Sequence, residues 1–149
     1  MPSFLDRLRS GASSINADLT RRVGRFKNST FLQAAMAAAA LIVAADGKVQ
    51  DSEVEATSEF INSHPALACF EPGEKATLFQ NYVVKAQGAM TKIELNGLIA
   101  KAKGNNEMAT TLMELVLALA ASDGDFADSE KAVARKIATN LGLNPADYV

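Results

Sequence analysis

Ala44-Ala45-Asp46-Gly47-Lys48-Val49-Gln50-Asp51-Ser52-Glu53 returns further along the chain as Ala121-Ser122-Asp123-Gly124-Asp125-Phe126-Ala127-Asp128-Ser129-Glu130, at a constant offset of 77 residues from Asp46 to Asp123 and from Glu53 to Glu130. Each stretch closes a long apolar run with Asp-Gly, follows it with one large apolar residue, and opens a charged amphipathic segment with Asp-Ser-Glu. An apolar run stopped by a glycine and restarted by capping residues describes two helices joined by a short acidic loop. Written twice at one offset, it implies an internal two-fold repeat of helix-acidic loop-helix units.

Working outward, Ser29 is a suitable N-cap for a helix from Thr30 to Ala45, with Phe31, Ala35, Ala38, Leu41 and Ile42 on its inner face. Asp51 and Ser52 can both cap the next helix, Ser52 and Glu55 have capping-box spacing, and that helix runs to about Ser63 with Val54, Phe60 and Ile61 on one face. Pro65 to Gly73 reads as an irregular connection. Helices follow over Glu74 to Gln87, Thr91 to Lys103 and Asn105 to Ala121, and a last one starts near Ser129 and stops before Gly142. Phe4, Leu5 and Leu8 are spaced for a short N-terminal helix that Gly11-Ala12-Ser13-Ser14 interrupts. The expectation is all-α, a single compact domain of about seven helices.

Composition agrees. Of 149 residues 48% are hydrophobic but only 6% aromatic, with alanine abundant, which favours closely packed helices over a sheet. The run Ala34 to Ala45 is shorter than the roughly 20 residues that span a bilayer. Met1-Pro2-Ser3-Phe4-Leu5-Asp6-Arg7 lacks the apolar stretch of a secretory leader, so a cytoplasmic protein is expected. The single cysteine, Cys69, permits no intrachain disulfide and reads as a small buried hydrophobe; His64, beside Pro65, reads as an exposed turn residue.

Charge divides the chain. Residues 1–28 form a basic N-terminal segment carrying Arg7, Arg9, Arg21, Arg22, Arg25 and Lys27 against Asp6 and Asp18, ahead of a helical domain over 29–149 that is acidic on balance. Arg21, Arg22 and Arg25 are candidates for contact with anionic lipid headgroups or another anion. Nucleic acid is not expected, since net charge is −2 and no aromatics interleave the arginines.

The motif also resembles the second half of an EF-hand loop, with Asp46-Gly47 and Glu53, and equally Asp123-Gly124 and Glu130, at its fifth, sixth and twelfth positions. Ile42 and Ala44, or Leu119 and Ala121, stand where the first and third ligands belong, so each loop alone is an incomplete cage. If the loops meet, Asp46, Asp51, Glu53, Asp123, Asp125, Asp128 and Glu130 form a carboxylate patch suited to a divalent cation or a basic partner. The same residues also serve plain architecture: Asp-Gly as a turn, Asp51 or Asp128 as a cap, Glu53 or Glu130 in the positive first turn of a helix. Both readings stand at this point.

The doubled Ala-x-Asp-Gly-x-(apolar)-x-Asp-Ser-Glu on an all-helical chain resembles the tellurite-resistance protein TerB family, over essentially the whole chain. The resemblance implies a cytoplasmic, non-enzymatic protein of tellurite resistance and stress response. It implies a metal site mapping to Asp46, Glu53, Asp123 and Glu130, with Asp51 and Asp128 in support, for a divalent ion with Ca²⁺ favoured. It also implies partners among other resistance proteins, a TerC-like membrane protein and a TerD-like protein, and so contact with the inner face of the membrane. The other reading is a metal-independent helical adaptor whose acidic surface binds a basic partner. With one cysteine there is no thiol pair to reduce tellurite, and an oxyanion is repelled by the acidic loops.

Overall fold

α3 (Ser29–Val43) is the centre of the molecule: every residue from Ala34 to Ile42 is buried. A helix apolar on all sides needs neighbours on all sides. Its run of alanines lets them come close, and α5 (Pro72–Ala86), α6 (Ala89–Ala100) and α7 (Asn106–Ala120) all pack against it. α7 supplies the bulk that α3 lacks, with Leu112, Met113, Leu115, Val116 and Leu117 fully buried. α4 (Asp51–Ser63) packs on α5 and α7, α8 (Asp128–Asn140) packs on α3 and α6, and α1 (Phe4–Ser10) and α2 (Ala12–Val23) close the remaining side against α7. The computed structural model describes residues 3–121 and 126–149, and among these it is all-helical, with eight α-helices, three short 3₁₀ turns and no strand.

The helix beyond the expected seven is α2. The sequence reads as interrupted at Gly11, yet the break is one residue long: Gly11 donates its N–H to Arg7 O at 3.0 Å, ending α1, and the next helix starts at Ala12. The basic segment is thereby part of the core, because Phe4, Leu5, Leu8, Leu19 and Val23 are all buried. Ser3 and Asp6 close α1 with a reciprocal pair of hydrogen bonds at 3.3 Å, and Leu5 N–H donates to Tyr148 O at 3.0 Å, tying the two ends of the chain together.

Two further expectations change at the turn after α4. His64 is half-buried, not exposed: its Nδ1 accepts from Ala66 N–H at 3.1 Å, and burial, with the nearby Lys75 charge, holds its pKa below the ordinary value. Cys69 is only partly buried. The deeply buried polar group here is Lys75, 1% exposed, whose Nζ donates to Leu67 O at 2.8 Å; burial pushes its pKa down. Helix boundaries elsewhere fall within about three residues of those expected, and the supposedly irregular connection contains a 3₁₀ turn, Pro65–Leu67.

Candidate functional site

The first acidic loop is built by the end of α3. Ala44 N–H donates to Ala40 O at 3.1 Å, and Gly47 takes φ 75°, a left-handed conformation that a side chain would strain, while donating to Ala44 O at 3.0 Å. Asp46 Oδ1 accepts from Lys48 N–H at 2.9 Å, an Asx turn that fixes the carboxylate beside the helix end. α4 then begins at Asp51, with Asp51 and Glu53 in its first turn and Gln50 at the N-cap; no side chain caps it, so the expected Ser52 and Glu55 capping box does not form. The uncapped N-terminus is compensated by the two acids facing its positive end.

The second unit has the same dimensions. α7 and α3 each hold fifteen residues, α8 and α4 each hold thirteen, and all four starts and ends fall at the 77-residue offset. Asn28 caps α3 by accepting from Phe31 N–H at 2.9 Å, and Asn105, in register with it, caps α7 by accepting from Met108 N–H at 3.1 Å. At α8 the acid does what a capping residue would: Glu130 Oε1 accepts from Ala127 N–H at 3.0 Å. Asp128 lies in the same first turn. Asp123 and Asp125 lie outside the described residues.

The two units face one cleft of about 390 Å³. Asp46 and Glu53 line it from the first unit and Glu130 from the second, while Asp51 and Asp128 are not part of its lining. Ser52, Thr57 and Ser129 add hydroxyls. The rest is apolar and includes Ile42 and Val43 from α3, Leu119 and Ala120 from α7, and Ala56 and Phe60 from α4. Each carboxylate has about four lone-pair sites. The backbone bond to Asp46 Oδ1 therefore leaves that carboxylate capacity for a cation. Among the described residues, no group of three or more His, Cys, Asp or Glu side chains is gathered as a metal site needs.

Phe60 is the residue that pattern reading misassigns. Beside Ile61 it passes for an inner-face residue, but neighbours on a helix point about 100° apart. Ile61 is fully buried, whereas Phe60 stands in the cleft wall with 37% of its surface exposed. The apolar floor was legible only as core, since it takes the packing of α3, α4 and α7 to leave those side chains facing a cleft.

The three candidate arginines all stand in ion pairs. Arg22 is held by Asp18 at 2.9 Å and by Glu114 at 2.5 Å, linking α2 to α7; burial opposes its charge, but these two carboxylates raise its pKa. Arg21 pairs with Asp18, a bond that heads the causes lowering that carboxyl's pKa. Arg25 pairs with Glu107 at 2.7 Å and, like Arg21, stays more than half exposed. No helix among the described residues is long and apolar enough to cross a membrane.

Comparison with known proteins adds identity to this geometry. The family model for tellurite resistance protein TerB matches residues 32–149. A protein of Alcaligenes sp named tellurium resistance protein TerB is 33% identical over 81 residues, covering 54% of this chain and 66% of that relative's length, just short of two thirds. No solved structure matches.

Proposed function

The chain belongs to the tellurite resistance protein TerB family, and from that premise we propose that it is a non-enzymatic, cytoplasmic module of tellurite resistance that binds a divalent cation between its two acidic loops and docks to other resistance proteins. The observation that carries this reading is the shared cleft: Asp46 and Glu53 from one unit and Glu130 from the other line the same space. Two half-cages that are each incomplete become useful when they face each other. A hard cation, Ca²⁺ before others, takes such oxygens together with hydroxyls, carbonyls and water. Asp123 is the proposed counterpart of Asp46, and Asp51 and Asp128 support the site through the charge they add to its surroundings.

The matching helix lengths and the paired Asn caps support descent of both units from one repeated pair of helices. Partners are proposed to include a TerC-like membrane protein and a TerD-like protein. That would bring the module to the inner face of the membrane, with exposed Arg21 and Arg25 turned to anionic headgroups and Arg22 bracing the helix beneath them.

The test is the unfolding midpoint of chelator-treated protein with and without Ca²⁺, Mg²⁺, Mn²⁺ or Zn²⁺, beside an Asp46→Asn/Asp123→Asn variant. A cation at about 100 times its dissociation constant adds about 2.7 kcal/mol to the native state, a rise of roughly 5–10 °C at this chain length. A rise lost in the variant supports the site; no rise with any cation rejects it. The second reading, a metal-independent adaptor, draws on the turn bonds of Asp46 and Glu130, which give both acids structural work without an ion.

A further inference from the structure

We propose that the cleft receives a segment of a partner protein that presents an apolar side chain next to a lysine or arginine. This rests on both loops forming one site, and adds the kind of partner that fits it. The cleft has two chemistries side by side. One edge carries the carboxylates of Asp46, Glu53 and Glu130; the floor and wall are Ile42, Val43, Leu119 and Phe60. A divalent cation uses the first and gains nothing from the second. About 390 Å³ also falls within the roughly 300–1,000 Å³ of pockets that enclose organic groups.

Phe60 sharpens the point. Its counterpart at the 77-residue offset is Ile137, which is 1% exposed, so the fold can bury this position and in the first unit leaves an aromatic ring at 37% exposure in a concave wall. Aromatic anchors at the centre of a desolvated patch carry most of the energy of an interface. A Lys or Arg lays its methylenes along an apolar surface and keeps its charged head at the edge. Carboxylates bordering an apolar floor are the complement of that side chain and of an apolar neighbour in the partner. The acidic balance of residues 29–149 draws such a segment in.

The experiment titrates the ¹⁵N-labelled full chain, in EDTA, with a short amphipathic Leu/Lys peptide, and in parallel with a Leu/Glu and a Gly/Lys peptide of equal length. Amide shifts are expected around Thr57 to Phe60 and Glu130. The Gly/Lys peptide, which lacks the anchor, should bind at least about tenfold more weakly, as should Phe60→Ser with the Leu/Lys peptide. Glu53→Lys, at an exposed position, gives the same weakening without touching the floor, so the inference does not depend on how well Phe60→Ser folds. Absence of binding, unchanged affinity in both variants, or shifts at the exposed Met90 and Ile93 of α6 instead overturns it. A peptide response in EDTA with no Ca²⁺ effect removes the metal and leaves this inference; a Ca²⁺ response without peptide binding does the reverse.

Discussion

The helix pair α3 and α4 and the helix pair α7 and α8 have the same lengths, the same asparagine caps and the same acidic triplet, yet they use those residues differently. In the second, Glu130 bonds the backbone of Ala127, and Ile137 is buried. In the first, Glu53 makes no cap, and Phe60, in register with Ile137, faces the cleft. The same motif thus carries a side-chain hydrogen bond at the helix start in one unit and none in the other, while residues of both units line the cleft.

The sharpest way to break that contrast is at the matched pair. Ile137→Ala removes a fully buried side chain and should cost about 2–5 kcal/mol, whereas Phe60→Ser, in the cleft wall, should cost far less. Urea unfolding of both variants measures the difference, and equal losses would mean that Phe60 is core. Next in size is the small-against-large packing of the central pair. Ala38 and Leu115 are in register and both fully buried. Ala38→Leu overfills the close contacts of α3 and should cost about 1–3 kcal/mol, read as a lowered midpoint with an unchanged denaturant slope.

The acids themselves come third. Glu130→Ala should cost about 1 kcal/mol by freeing the Ala127 N–H, and Glu53→Ala should stay within about 0.5 kcal/mol. Thermal unfolding in EDTA separates the two, and the order should reverse for cation or peptide affinity. The smallest expected effect is on pH. His64 ends α4, while its counterpart Leu141 cannot titrate. Its folded pKa lies below the ordinary 6.5, so the unfolded chain takes up the proton first. Stability should be unaffected above about pH 7.5 and fall as pH drops through 6.5 towards the folded pKa. His64→Asn keeps an acceptor for Ala66 N–H and should flatten that part of the curve.

Much of this was legible beforehand because helices announce themselves locally. Gly stops and apolar residues at helical spacing placed six of the eight helices to within about three residues, although α3 and α4 start at caps Asn28 and Gln50 and not at the expected Ser29 and Asp51 or Ser52. α2 was hidden because Gly11 looks like a loop and serves as a one-residue joint, and because the large apolar side chains it buries, among the described residues, are Leu19 and Val23 with partly covered Ile15, beside the salt-bridged Arg22. The acids of the site were legible from their repetition. That Asp46, Glu53 and Glu130 line one cleft, the apolar floor and the exposure of Phe60 depend on how α3, α4, α7 and α8 pack, over separations along the chain that no local pattern carries. Lys75 escaped for the same reason: its acceptor, Leu67 O, is set by a turn eight residues away.

The most direct test of one shared cation site is paramagnetic broadening by Mn²⁺, followed by ¹⁵N amide spectra of the full chain. With a single site between the loops, the amides of Asp46 to Lys48 and those of Ala127 to Glu130 lose intensity together, at one midpoint, and Asp46→Asn spares both. Separate midpoints, loss in one loop alone, or no selective loss would contradict it.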